Sequence, residues 1–135
     1  MHVVDTSAWL AFFADEKNAS EFEAVIVESD LLLVPAIVLY EVFRVVLREK
    51  GENEAFQVVA TMQQGRVIDL DLELSLEAAA LGQREKLAMA DSIIYATAMR
   101  HEAVLWTQDD HFEGKPRVEF RRKKKGYPAA FAGFA

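Results

Sequence analysis

The 135-residue chain contains no cysteine. That excludes a disulfide framework, a cysteine-ligated zinc site, an iron–sulfur cluster and a thiol nucleophile. Long apolar runs are missing too. The longest stretch without a charge, residues 55–65, still carries Gln57, Thr61, Gln63 and Gln64, whereas a bilayer span needs about 20 mostly apolar residues. An acid, Asp5, comes before any apolar stretch, so a secretory signal is not expected and a cytoplasmic location is. Glycine-rich phosphate loops are absent: neither G-x-G-x-x-G nor G-x-x-x-x-G-K-[ST] occurs, and G-x-S-x-G is missing as well. There is no internal repeat and no domain linker.

What is present has a globular balance, with 52% hydrophobic and 27% charged residues. At this length one domain with its own core is the expectation. The net charge is −7, unevenly distributed: residues 1–114 carry −13 and residues 115–135 carry +6. A body this acidic repels a phosphate backbone over most of its surface. Any nucleic-acid role must therefore use bound cations, the basic tail or a local patch.

Apolar runs and helical periodicities alternate along the chain. Residues 2–5, 31–34, 66–70, 103–107 and 117–120 read as short strands. Residues 18–29, 36–50, 52–64, 74–87 and 91–101 read as helices, with another following Asp5. Gly51 and Gly65 stop two of them. The strand runs are continuously apolar, as buried parallel strands are. The expected architecture is a three-layer α/β/α domain over residues 1–120, with a mainly parallel sheet of four to five strands. Residues 121–135 form a tail with five consecutive cations, Arg121, Arg122, Lys123, Lys124 and Lys125, followed by an Ala/Phe-rich end.

Ligands in open α/β sheets bind beyond the C-terminal strand ends. Asp5 ends the first strand and Asp109 follows the 103–107 strand, while Asp91 opens a helix. Glu41 lies inside the apolar series Ile37 to Phe43, an odd place for a carboxylate. Each has an ordinary explanation: Asp5 as a helix cap, Asp91 as a dipole acid, Glu41 with Arg44 and Arg48 as a solvated stripe, Asp109 and Asp110 as loop acids. Asp69, Asp71 and Glu73 alternate with apolar residues and read as a solvated strand face without chemistry. His2, His101 and His111 show no metal-ligand spacing among themselves. His101 is expected at a helix C-terminus, and His111, beside Asp109, is a candidate substrate contact.

Taken together, four segments resemble a known family. Val3-Val4-Asp5-Thr6-Ser7-Ala8-Trp9-Leu10 is similar to the opening of PIN-domain proteins, particularly the VapC-like toxins of bacterial and archaeal toxin–antitoxin pairs. Pro35-Ala36-Ile37-Val38-Leu39-Tyr40-Glu41-Val42 resembles the family's helix-borne Glu, and the helix led by Ala90-Asp91-Ser92 its Asp-led helix. Thr107-Gln108-Asp109-Asp110-His111-Phe112 is similar to its T-x-D-x-x-F segment. The resemblance implies a metal-dependent endoribonuclease that leaves 5′-phosphate and 3′-hydroxyl ends, restrained by a small antitoxin and homodimeric. Its implied catalytic and metal residues are Asp5, Glu41, Asp91 and Asp109, supported by Ser7 and Thr107. Asp110 is a weaker substitute for Asp109, because the T-x-D spacing selects the latter.

Elementary electrostatics supports the same grouping. Two like charges about 4 Å apart repel by about 4 kcal/mol at an effective dielectric of about 20. Converging carboxylates therefore need protons or cations, and oxygen ligands suit Mg²⁺ or Mn²⁺ rather than zinc. Such an ion would also join an acidic protein to anionic RNA. The five cations of the tail have two readings: they hold RNA phosphates, or they form a solvated or oligomer-contacting tail. A phosphatase of the haloacid-dehalogenase type needs a second Asp where Ser7 stands, and a receiver domain needs a lysine after the last strand that is not found. The remaining alternative is a catalytically silent PIN-like RNA-binding or scaffold protein.

Overall fold

The computed structural model describes residues 1–124; Lys125 and the rest of the expected tail lie outside the described residues. Strand β1 (His2–Val4) leads into helices α1 (Thr6–Phe13) and α2 (Ala19–Ile26), and β2 (Leu32–Pro35) into α3 (Ala36–Lys50) and α4 (Glu52–Met62). Then follow β3 (Arg66–Ile68), α5 (Leu72–Glu85), α6 (Met89–Arg100), β4 (Val104–Thr107) and β5 (Val118–Phe120). All pairings are parallel and the spatial order is β3-β2-β1-β4-β5. The helices flank this sheet in the expected three-layer α/β/α arrangement, and the strand number is the upper one expected. Among the described residues no helix is long and apolar enough to cross a membrane.

Why these segments fold this way is visible in burial. Val3, Val4, Leu33 and Val34 are all fully buried, so β1 and β2 have no solvated face. This is why their sequences are apolar runs rather than alternations. Trp9, Phe22, Met62, Ile94 and Phe112 complete the core from the helical layers and from the loop after β4. Strand β2 extends one residue further than expected: Pro35 pairs with Ile68 as its last position. It can do so because the chain turns into α3 immediately, where a missing N–H costs nothing. Gly51 has φ +92°, a conformation that suits glycine, and it separates α3 from α4.

One expectation is overturned. Asp69, Asp71 and Glu73 do not line a strand, since β3 ends at Ile68. Asp71 caps α5 instead, its carboxylate accepting from the Leu74 N–H at 2.8 Å, and Leu72 is exposed. The period-2 pattern failed here because a cap and a first helical turn can imitate alternation over a few residues.

The strand order positions the site. From β1 the chain winds outward one way through β2 and β3, and later the other way through β4 and β5. The reversal leaves a crevice beyond the C-terminal ends of β1 and β4, where open α/β sheets bind ligands. Asp5 follows β1 directly and Thr107 ends β4. The helix carrying Asp91 is held close to α5 at Gly82, where an added Cβ would stand 2.8 Å from the Ser92 Cβ.

Candidate active site

Asp5 is 3% exposed. It caps α1, and three donors meet its carboxylate, none of them cationic. Oδ1 accepts from the Ser7 hydroxyl at 2.8 Å and the Ala8 N–H at 3.0 Å, and Oδ2 accepts from the Thr107 hydroxyl at 2.6 Å. The capping reading of Asp5 is therefore correct, and the capped carboxylate stands just beyond the C-terminal end of β1. Burial pushes its carboxyl up to about 7, against the pull of those three hydrogen bonds, and the neighbouring Asp109 raises it further.

Thr107 links the next acid. Its Oγ1 accepts from the Asp109 N–H at 2.9 Å, fixing the backbone where the chain leaves β4. Asp109 then caps a short 3₁₀ turn, Asp110–Phe112, accepting from the His111 N–H at 2.9 Å. Asp110 opens that turn and is exposed. Asp91, in the first turn of α6, is half-buried; burial raises its carboxyl, Asp109 adds to the rise, and His111 opposes it. Glu41 projects from α3, and its Oε1 accepts from the Thr6 hydroxyl at 2.6 Å. Burial raises Glu41 as well, with Asp91 contributing. Arg44 and Arg48 stay exposed. Each of the three shifted acids thus has another of the four as a like-charged neighbour, Asp91 for Glu41 and Asp109 for Asp91 and Asp5.

The tightest grouping is not one of acids alone. Ligand atoms of Asp91, Asp109 and His111 all lie within 4.8 Å of one another. His111 Nδ1 is 3.2 Å from Asp109 Oδ1 and 3.4 Å from Asp91 Oδ2. Spacing among the histidines concealed this, because the partners of His111 are carboxylates. Thr6 was also missed; the only sequence signal was a second hydroxyl beside Asp5. His101 stands at the end of α6 as expected, its ring nitrogen 2.9 Å from the Thr97 carbonyl.

The described part of the basic tail lies near this crevice. A cleft of about 580 Å³ is lined by Lys17, Asn18, Glu21 and residues 121–124. It connects to Ser7 by hydrogen bonds: the Asn18 amide donates to the Arg122 carbonyl and to the Gln108 side chain, and the Gln108 N–H donates to the Ser7 Oγ. The cations differ in their partners. Arg121 is paired with Glu21 at 2.8 Å and Glu119 at 3.1 Å and lies over the Trp106 ring. Arg122 reaches Glu113 at 3.1 Å.

The fold occurs in other proteins. The chain superposes with a TM-score of 0.74 on a protein of a toxin–antitoxin complex from Klebsiella pneumoniae, at 23% identity over 88% of this chain and 96% of that one. VapBC2 from Rickettsia felis, bound to a DNA fragment from its promoter, gives 0.70 at 15% identity over 91% of this chain and 98% of the other. VapC20 from Mycobacterium tuberculosis, a toxin that cleaves the sarcin–ricin loop, gives 0.71 at 17% identity over 86% and 95%. Comparison with curated protein sequences finds no significant match. The PIN domain family model matches residues 2–118. With that match spanning nearly all of the sheet and every acid of the site, the chain belongs to the PIN domain family.

Proposed function

We propose that the protein is a Mg²⁺- or Mn²⁺-dependent endoribonuclease and the toxin of a toxin–antitoxin pair. The observation that supports this most is the placement of three acids at the C-terminal ends of β1 and β4: Asp5, 3% exposed, is tied through Thr107 to Asp109, and Asp109 lies beside Asp91, while among the described residues no cation pairs with Asp5. Such a set is stable with protons at low pH or with a hard cation at neutral pH. Among the described residues the ligand atoms that gather within 4.8 Å of one another are those of Asp91, Asp109 and His111, a donor set that fits a divalent ion. Asp5 and Glu41 lie outside that group, and in this reading they complete the set of holders with Asp91 and Asp109. A bound ion would supply an activated water and stabilise the attacking and leaving oxygens of a phosphodiester displacement.

The side chains divide the remaining work. Ser7 and Thr107 aim the Asp5 carboxylate and hold it toward its charged form. Thr6 does the same for Glu41. We take residues 1–120 as the nuclease domain and residues 121–135 as an appended tail whose cations bind RNA phosphates. Lys123 and Lys124 serve this best, since Arg121 and Arg122 already have carboxylate partners. Three neighbours in structure come from toxin–antitoxin systems, which supports a small antitoxin as the partner. A homodimer formed through the helices of residues 18–64 is part of the same reading; Tyr40 and Phe56 are exposed apolar residues there.

The test is cleavage of labelled total RNA by the purified protein, with Mg²⁺, with Mn²⁺ and with EDTA. Cleavage that EDTA abolishes, and that Asp5→Asn and Asp91→Asn lose while remaining folded, supports the proposal. RNA binding without cleavage under every metal condition selects the silent RNA-binding alternative. Full activity in either variant removes the site assignment. Growth arrest on expression, relieved by the neighbouring gene, tests the toxin role.

A further inference from the structure

We propose that His111 is a ligand of the divalent cation, so that the site takes Mn²⁺ in preference to Mg²⁺. This rests on the nuclease reading and changes its set of holders, from oxygen alone to oxygen plus one imidazole nitrogen.

Three observations carry it. First, one cation can reach all three groups, whose ligand atoms lie within 4.8 Å of one another. Adjacent ligands of an octahedral ion with bonds of about 2.1 Å lie about 3 Å apart. Here Nδ1 stands 3.2 Å and 3.4 Å from oxygens of Asp109 and Asp91. Second, the imidazole is aimed from both sides of its backbone. The Asp109 carboxylate holds the His111 N–H at 2.9 Å, and the following Phe112 is fully buried and packs against Tyr95 of α6. Third, the His111 side chain is 69% exposed. A histidine kept for packing would be covered. This one turns a single ring nitrogen toward two acids and leaves most of its surface in solvent.

The chemistry follows from the donor set. Mg²⁺ prefers oxygen and gives up its water reluctantly. An imidazole nitrogen adds affinity for first-row transition ions and little for Mg²⁺. The competing arrangement keeps the His111 ring beside Asp91 and Asp109 only in the cation-free protein and moves it aside when the ion arrives.

The experiment needs neither RNA nor turnover. Mn²⁺ and Mg²⁺ are each titrated calorimetrically into the full chain and into His111→Gln. The Mn²⁺ complexes are then examined by electron spin-echo spectroscopy for coupling to ¹⁴N. Nitrogen coupling in the wild type, its loss in His111→Gln, a Mn²⁺ affinity about tenfold weaker in that variant and an almost unchanged Mg²⁺ affinity are expected. Mn²⁺ binding without nitrogen coupling, or equal or tighter binding by His111→Gln, overturns the ligand assignment and leaves the nuclease reading standing. Failure of the wild type to bind either ion overturns both. Thermal unfolding of His111→Gln verifies that this exposed substitution keeps the fold.

Discussion

Thr107 and Asp5, 102 positions apart in the chain, share a hydrogen bond of 2.6 Å between neighbouring strand ends. The same hydroxyl accepts from the Asp109 N–H, so one oxygen sets the position of two acids. A hydrogen bond to a charged group contributes about 1.5–3 kcal/mol. Thr107→Val is expected to lower stability by about that amount above pH 7, where Asp5 is charged, and by less below it; it should also raise the Asp5 carboxyl still further and move the pH profile of cleavage to higher pH. Thr107→Ser should restore the profile, which a purely structural role for the methyl group would not.

Stability in the absence of cations should fall as pH rises. Asp5 has its carboxyl near 7 in the folded protein and an ordinary value of 3.8 when unfolded. Between those values the native state holds a proton that the unfolded state has lost. The free energy of unfolding therefore drops by up to about 1.4 kcal/mol per pH unit from roughly pH 4 to 7 and levels off above. Glu41 and Asp91 are shifted the same way. Urea unfolding in EDTA from pH 5 to pH 8 measures this, and Asp5→Asn should flatten the dependence. Cation affinity and cleavage should run oppositely, rising through neutral pH as Asp5 loses its proton.

Gly82→Ala tests how closely the Asp91 helix must approach its neighbour. The added methyl group would meet the Ser92 side chain one residue beyond the site. Overpacking of this kind costs about 1–3 kcal/mol. A weaker cation affinity accompanying the stability loss would show that α6 has moved and carried Asp91 with it; unchanged affinity would assign Gly82 to packing alone.

The cations of the tail should separate by function. In an Asp5→Asn background, replacing Lys123 and Lys124 with alanine should weaken RNA binding and reduce the slope of log affinity against log salt by about 1.4, two phosphate contacts at about 0.7 each. Arg121→Ala should affect folding more than salt dependence, because its guanidinium bridges Glu21 and Glu119 and covers Trp106. An unchanged slope in the double variant would take the tail out of RNA binding.

Much of this was legible in the linear chain. Apolar runs alternating with helical periods determined the layered parallel sheet, because burial on both faces leaves no choice but continuous apolar strands. The acids that follow strands one and four were conspicuous for the same reason: a carboxylate at the end of a buried run needs a ligand or a cap. Tertiary structure alone decided the partners. Sequence spacing carried no information about Thr6 meeting Glu41, because that contact depends on how α1 and α3 pack. Nor did it show His111 reaching Asp91, since α6 and the loop after β4 are brought together by the reversal in strand order. Asp71 turned from an apparent strand residue into a cap because the hydrogen bond it satisfies exists only once α5 has formed.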